Sequence, residues 1–331
     1  MNPRLSDLVS AARVVSIPLR TKFRGITERE LLVFEGPNGF SEWAAFTDYS
    51  DEEAAAWLAA AIEWGFGNLP NPKRTSVPVN AILPAVAAQD VARILTRAGK
   101  FTTVKIKTAE QGQSLADDLA RILEVQALYP EAKIRLDANG GFTIPQAMEL
   151  LEKLSFEGIA LEYFEQPVAT IAELAELKLE IAKTGQSTLI AADESVRKSS
   201  DPLAVELAGA ADILVLKSAP LGGIATALEI AASSKLPTVP SSAMQSSIGL
   251  SAELHFAACL ENLSFDAGLG TMNLFAGDLV KDSLKPVDGV LEVRRPEVST
   301  SALDTLKAED HRYDWWIARL ERCGRLIGLE S

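Results

Sequence analysis

Histidine and cysteine are scarce in this sequence, and their scarcity excludes several kinds of site. Two residues of each type occur among 331. The two cysteines, Cys259 and Cys323, exclude a disulfide framework, argue against a thiolate metal site and fit a reducing cytoplasm. The histidines, His255 and His311, both fall outside the predicted strands, and we interpret His255 as a packing residue on an apolar helix face. Any active site must therefore depend on other side chains.

Positive charge and long apolar runs are also lacking. The chain carries 32 basic and 45 acidic side chains, which gives a net charge of −13. This field repels nucleic acids and anionic membranes, so we expect neither as a partner. No apolar run is long enough to span a membrane, and the N-terminus lacks the pattern of a signal peptide. We expect a cytoplasmic globular protein that acts on a small molecule, and its oligomeric state stays open.

Eight short apolar runs alternate with helical segments in the middle of the chain. Strands that alternate with helices predict a parallel sheet, and eight of them favour a closed barrel. An open doubly wound sheet is the alternative, but the first run lacks a glycine-rich phosphate turn. We predict an α/β fold, a (β/α)₇β TIM-like barrel. The predicted strands begin at Ala81, Thr103, Lys133, Gly158, Leu189, Ala211, Leu236 and Ser264, and the clearest predicted helices cover 111–129, 144–154 and 171–183.

The two ends of the chain have a different pattern. Segments 14–19, 31–35 and 39–45 predict a small antiparallel sheet, with turns at Gly25 and at Pro37-Asn38-Gly39. A helix is predicted at 52–64, and the tail predicts a short strand at 291–293 and a helix at 310–326. We interpret residues 1–80 plus 275–331 as one α+β capping domain, and residues 81–274 as the catalytic barrel.

Ionisable residues end five consecutive strands of the predicted barrel. The carboxyl ends of barrel strands meet at one mouth, where active sites form. Asp137, Glu165 and Asp193 follow one another at intervals of 28 residues, so their carboxylates should lie side by side. Buried together they would repel one another, and a hard divalent cation relieves that repulsion. We predict that these three residues bind Mg²⁺, with Mn²⁺ as the alternative, rather than zinc.

Lysines flank these carboxylates on both sides in the strand order. Lys105 and Lys107 precede Asp137, whereas Lys217 follows Asp193, so amines should face each other across the mouth. A metal-bound substrate carboxylate acidifies the neighbouring carbon, and a lysine can then remove the α-proton. The pattern therefore predicts a metal-dependent lyase.

The same residues resemble the motifs of the enolase superfamily, in its muconate lactonizing enzyme subgroup. The resemblance implies Lys107 as the catalytic base and Lys217 as the cation opposite it. It also implies supporting roles for Lys105 and Asn139, and places Glu194 beside the metal ligands. The matching motifs are Lys105-Ile106-Lys107, Asp137-Ala138-Asn139, Glu165-Gln166-Pro167, Asp193-Glu194 and Lys217.

Three further segments resemble the o-succinylbenzoate synthase family, particularly its actinobacterial members. They are IPLRTKFRGITERE from Ile17, SSAMQSSIGL from Ser241 and GLGTMNLFAGDLV from Gly268. The resemblance implies a hydro-lyase of menaquinone biosynthesis. Its reaction is the syn dehydration of 2-succinyl-6-hydroxy-2,4-cyclohexadiene-1-carboxylate to 2-succinylbenzoate.

The second carboxylate of this substrate needs its own partner. Candidates are Arg24 or Lys22 in the cap loop, and hydroxyl or amide donors around Ser241 and Ser242. Gly268 and Gly270 are expected to let the backbone approach the substrate. Two alternatives remain open: an N-succinylamino acid racemase or dipeptide epimerase that uses the same paired lysines, and a non-catalytic binding barrel.

Overall fold

The computed structural model describes residues 3–330. The N-terminal part is a three-stranded antiparallel sheet in the order β1-β2-β3, followed by a long helix that packs on β3. Gly25 makes the β1–β2 turn with a positive φ of 80°, as its lack of a side chain allows. The elements are α1 (Leu5–Ala11), β1 (Arg13–Phe23), β2 (Ile26–Gly36), β3 (Gly39–Trp43), α2 (Asp51–Phe66) and β4 (Ser76–Pro78).

The middle of the chain forms a parallel sheet of seven strands in sequence order, with helices on its outside. The elements are β5 (Ala81–Leu83), α3 (Val91–Leu95), β6 (Thr103–Lys107), α4 (Leu115–Leu128), β7 (Lys133–Asp137), α5 (Ile144–Phe156), β8 (Leu161–Glu165), α6 (Ile171–Lys183), β9 (Ile190–Ala192), α7 (Glu194–Arg197), α8 (Ala204–Leu207), β10 (Ile213–Leu216), α9 (Ile224–Ser233), β11 (Thr238–Pro240) and α10 (Ser247–Cys259).

Ala267 and Gly268 close this sheet into a barrel. Ala267 bridges to Val79 just before β5, and Gly268 bridges to Ser241 just after β11, both in parallel. A Cβ on Gly268 would lie 2.6 Å from the Ser241 hydroxyl oxygen and 3.2 Å from its Cβ, so this close approach favours glycine. The predicted barrel is confirmed, but its eighth strand is reduced to these two bridging residues.

Capping residues explain where the barrel helices begin. Ser114, Thr143 and Thr170 each form a capping box with the residue three positions later, so α4, α5 and α6 start directly after them. Helix α6 coincides with the prediction. The predicted helix at 111–129 begins too early, because Ser114 caps α4 at Leu115.

The C-terminal tail returns to the N-terminal part. Its elements are β12 (Val290–Glu292), α11 (Thr300–Thr305) and α12 (Asp310–Leu326). Strand β12 pairs antiparallel with β4, and α12 packs against α2. The boundaries 1–80 plus 275–331 for the cap and 81–274 for the barrel stay a prediction. Within residues 3–330, no helix combines the length and apolar character of a membrane span.

Candidate active site

The ionisable residues singled out from the sequence lie together at the carboxyl end of the barrel strands. Lys107 on β6 pairs in register with Asp137 on β7, which pairs in register with Glu165 on β8. Asp193 follows β9 directly and Lys217 follows β10. All five side chains are buried. The even spacing of the strands therefore brings charges from distant parts of the sequence to one mouth.

Lysine amines lie between the carboxylates. The Lys105 Nζ donates to both carboxylate oxygens of Glu165 at 2.9 Å and lies 3.3 Å from Asp137 Oδ2. The Lys107 Nζ donates to Asp137 Oδ2 at 2.7 Å and also to the side-chain oxygen of Asn139. On the other side, the Lys217 Nζ donates to Asp193 Oδ2. Each carboxylate thus has an ammonium partner.

Burial and charge oppose each other at these carboxylates. Burial disfavours the charged form of Asp137, but Lys107 and Lys105 outweigh it and hold the pKa of Asp137 well below its usual value. Likewise, Lys217 and Arg197 outweigh burial and lower the pKa of Asp193. Burial and repulsion from Asp137 together outweigh Lys105 at Glu165, whose pKa is raised to about 7. The three carboxylates are therefore close enough to repel one another.

The donor set fits a hard divalent cation, although the side chains are arranged as ion pairs. Within residues 3–330, no three acidic, histidine or cysteine side chains converge closely enough to hold one ion. At the mouth, the Lys105 amine lies between Asp137 and Glu165 and contacts both carboxylates. Glu194 Oε2 is buried and has no hydrogen-bond partner in this part of the chain. A hard divalent cation binds carboxylate oxygens such as these, both the crowded ones and the unpartnered Glu194 Oε2 beside them.

A small cavity of about 50 Å³ opens above these residues. Arg24, Ser241, Ser242 and Gly268 line it, as the sequence suggested, together with both proposed catalytic lysines. Gly270 does not line it. A Cβ at Gly270 would instead lie 2.5 Å from the Asn80 carbonyl oxygen. Glycine at this position therefore allows the chain to pack against the Asn80 backbone, not against a molecule in the cavity. The assignment of substrate-binding roles stays a prediction.

Arg197 and Tyr49 are among the polar residues at this cavity that were not found from the sequence. Arg197 donates to Glu194 at 2.8 Å, lies 3.3 Å from Asp193, and its pKa is raised because these carboxylates outweigh burial. It also donates to the Tyr49 hydroxyl, as does Arg24. Arg197 lies four residues after Asp193, a helical spacing that would have indicated it. Tyr49 follows no motif, because the cap places it by tertiary packing.

The cap also supplies an aromatic wall. Phe23, Phe46, Tyr49 and Trp57 line the cavity, and the last three pack on one another with ring centroids 5.4 to 6.2 Å apart. His255, by contrast, lies away from the cavity. Its Nε2 contacts the Pro70 carbonyl at 2.7 Å and its ring packs edge-on against Trp64, as expected of a packing residue.

Comparisons with known proteins agree with this arrangement. Residues 14–65 match the family model described as enolase N-terminal domain-like, and residues 86–297 match the one described as enolase C-terminal domain-like. The o-succinylbenzoate synthase of Mycobacterium ulcerans (strain Agy99) is 46% identical over 327 residues, which cover 99% of this chain and 97% of that protein. The chain belongs to the o-succinylbenzoate synthase family of the enolase superfamily.

Solved structures of other superfamily members share the fold of this family member. Muconate lactonizing enzyme from Pseudomonas fluorescens superimposes with a TM-score of 0.75 at 19% identity, covering 90% of this chain and 98% of that one. The L-Ala-D/L-Glu epimerase from Bacillus subtilis gives 0.71 at 20% identity, covering 87% and 96%. Superfamily enzymes typically use a divalent metal ion, which agrees with the donor set at the mouth.

Proposed function

We propose that this protein is an o-succinylbenzoate synthase, which dehydrates 2-succinyl-6-hydroxy-2,4-cyclohexadiene-1-carboxylate to 2-succinylbenzoate in menaquinone biosynthesis. The observation that carries the proposal is the placement of Lys107 and Lys217 on either side of three adjacent buried carboxylates. The near full-length similarity to the Mycobacterium ulcerans enzyme supports the substrate.

Asp137, Glu165 and Asp193 would hold Mg²⁺, which supplies positive charge for the oxygens of the ring carboxylate. Asn139 and Glu194 support this group, since the Asn139 amide donates to Glu194 at 3.1 Å while its oxygen accepts from Lys107. The buried position of the site strengthens every charge interaction at the reacting carbon.

In this mechanism Lys107 acts as a neutral amine, and it removes the proton from the carbon that bears the ring carboxylate. The C–H electron pair first moves onto the ring carboxylate as an enediolate, and it then forms the new C=C bond as the C–OH bond breaks. The same amine returns the proton to the departing hydroxide, which leaves as water. One base suffices because both groups leave from the same face in a syn elimination. Lys217 remains an ammonium ion and offsets the negative charge that develops on the substrate carboxylate.

Arg24 is the proposed partner of the succinyl carboxylate. Among residues 3–330 it forms no ion pair with a carboxylate; its guanidinium packs 4.5 Å from the Phe46 ring centroid and donates to the Tyr49 hydroxyl. The hydroxyls of Ser241 and Ser242 are already engaged, the first with the Gly268 carbonyl at 3.4 Å and the second with Thr271 at 3.0 Å. Of these groups, the Arg24 guanidinium is therefore best able to donate hydrogen bonds to the succinyl carboxylate.

Ultraviolet detection of the aromatic product tests the proposal. Purified protein should convert the cyclohexadiene substrate to 2-succinylbenzoate with Mg²⁺ present, and a chelator should abolish the conversion. Binding of product without any turnover would instead support a non-catalytic barrel.

The paired lysines also suit a racemase or epimerase, in which each amine serves one enantiomer. Incubation with N-succinyl amino acids in D₂O distinguishes the two activities. A racemase exchanges the α-proton for deuterium and loses no water. Racemisation without dehydration would replace the proposed function by this alternative.

A further inference from the structure

Glu253, in the middle of α10, is a buried carboxylate with no cationic partner in residues 3–330. Its side chain is fully shielded from solvent. Burial raises the pKa of this carboxyl, and only hydrogen bonds oppose the shift. A buried carboxylate without a counter-ion is costly unless its hydrogen bonds are good, so the groups that donate to it indicate its role.

Two of those donors belong to the peptides directly after Lys217. The Ser218 N–H donates to Glu253 Oε2 at 2.7 Å, and the Ala219 N–H donates to Oε1 at 3.0 Å. Strand β10 has ended at Leu216, so the sheet supplies no acceptors for these groups. Glu253 therefore fixes the direction of the chain as it leaves Lys217.

Glu253 is also linked to the loop that follows β11. The Gln245 amide donates to Glu253 Oε1 at 3.3 Å, and its oxygen accepts from the Ala243 N–H at 3.0 Å. Ala243 and its neighbours from Ser241 to Met244 line the cavity. Met244 has a positive φ of 60°, which is strained for a side chain of this size, so the loop needs such restraints.

We propose that Glu253 is a positioning residue, which holds Lys217 and, through Gln245, the loop 241–246 in their working places. The proposal rests on the proposed function only for the catalytic role of Lys217. Glu253 does not line the cavity. It affects catalysis only indirectly, because it holds the backbone next to Lys217 and, through Gln245, the cavity-lining loop.

Glu253→Gln is the test, since it keeps the size of the side chain but turns an amide NH₂ toward backbone N–H donors, so that at least one hydrogen bond is lost. The matched control is Glu206→Gln. Glu206 is partly buried on α8 and accepts from the Ser234 hydroxyl at 2.5 Å and the Lys235 N–H at 3.2 Å. These two residues lie in the segment before β11, whereas the loop 241–246 follows that strand.

We expect kcat of Glu253→Gln to fall roughly 10²-fold, the effect of a small misplacement of a catalytic group, whereas Glu206→Gln keeps its kcat. Both variants should lose some thermal stability, so Tm alone does not separate the two roles. Hydrogen–deuterium exchange should be faster at 217–220 and 241–246 in Glu253→Gln, and only around 234–236 in Glu206→Gln.

The exchange experiment needs no substrate, so it decides the proposal even if the wild-type protein fails to dehydrate the cyclohexadiene. A folded Glu253→Gln protein with wild-type kcat and unchanged exchange in both segments would overturn the proposal. If that variant does not fold, Gln245→Leu takes its place. Faster exchange confined to 241–246 and a raised KM are expected there, and unchanged exchange would overturn the proposal equally.

Discussion

At the scale of single residues, acidic and basic side chains pair at the mouth of the barrel. Four acidic and four basic side chains pair there: Asp137, Glu165, Asp193 and Glu194 with Lys105, Lys107, Lys217 and Arg197. A divalent cation would add two positive charges, and the proposed substrate carries two negative ones. The site thus accommodates a dianion although the chain as a whole has a charge of −13.

The two lysines that flank the carboxylates should each be essential. Lys107→Ala removes the proposed base and Lys217→Ala removes the proposed cation opposite it, so each should lower kcat by roughly 10²- to 10⁴-fold or more. Circular dichroism should show an intact fold. Lys133→Ala is the control, because its side chain is 63% exposed at the start of β7 and should leave kcat unchanged. Full activity in either active-site variant would remove that lysine from the mechanism.

Arg24 should affect substrate binding more than the chemical step. Arg24→Met keeps a long apolar side chain against Phe46 but removes the charge, so KM should rise roughly tenfold or more, by the loss of a charge-assisted hydrogen bond. Arg24→Lys should restore part of that loss. The measurement is steady-state kinetics with the cyclohexadiene substrate. An unchanged KM in Arg24→Met would assign the succinyl carboxylate to another partner.

At the scale of elements, carboxylates of the N-terminal part cap two helices of the barrel. Glu63 on α2 accepts from the backbone N–H groups of Ile224 and Ala225 at the start of α9. Glu42 on β3 accepts from the N–H groups of Ser246 and Gly249 at the start of α10, at 3.1 and 3.2 Å. These helices follow the strands that end just before Lys217 and Ser241, so the N-terminal sheet and helix hold the far side of the mouth.

Glu42 should make stability depend on pH. Burial raises its pKa from 4.5 to about 7, although hydrogen bonds and Arg29 oppose the shift. The folded protein therefore holds this proton more tightly than the unfolded chain, and the resulting stability is present at low pH and lost as pH rises toward 7 and above. The full shift corresponds to about 3 kcal/mol.

Glu42→Gln isolates this effect because glutamine does not titrate. Urea unfolding at about pH 5 and about pH 8 should show that the wild type loses roughly 2–3 kcal/mol relative to Glu42→Gln between the two values. The hydrogen bonds that glutamine loses affect both pH values equally. A difference that stays constant with pH would show that Glu42 remains ionised in the folded protein throughout.

At this scale, an element could be predicted from the sequence when its pattern lies in neighbouring residues, and not when it depends on contacts between distant ones. Helix α12 coincides with its predicted range 310–326, because the apolar spacing of an amphipathic helix is visible within a short stretch of sequence. The charged residues at the mouth were identified from the sequence because even strand spacing repeats along the chain. The eighth strand was overestimated, because barrel closure by Ala267 and Gly268 depends on Val79 and Ser241 far away. Tyr49 and Glu253 carry no local signal, since tertiary packing alone places them.

At the scale of the whole molecule, folding assembles the proposed metal site. Asp137, Glu165 and Asp193 come from three successive strand–helix units and have no reason to meet in the unfolded chain. An ion that binds only the assembled site must therefore stabilise the native state, by about 2.7 kcal/mol at a free concentration a hundredfold above its Kd. This linkage tests the metal site without measuring catalysis.

Addition of Mg²⁺ to the metal-free wild type should raise Tm by several degrees, in proportion to the logarithm of its concentration once the site is saturated. Asp193→Asn removes one ligand and should lose most of that increase. Glu261→Gln is the matched control, since this carboxylate is 80% exposed and pairs with Lys73 far from the mouth, and its Tm should rise as in the wild type. Equal responses in all three proteins would mean that Mg²⁺ binds elsewhere, because a site built from three converging strands cannot lose a ligand without losing affinity.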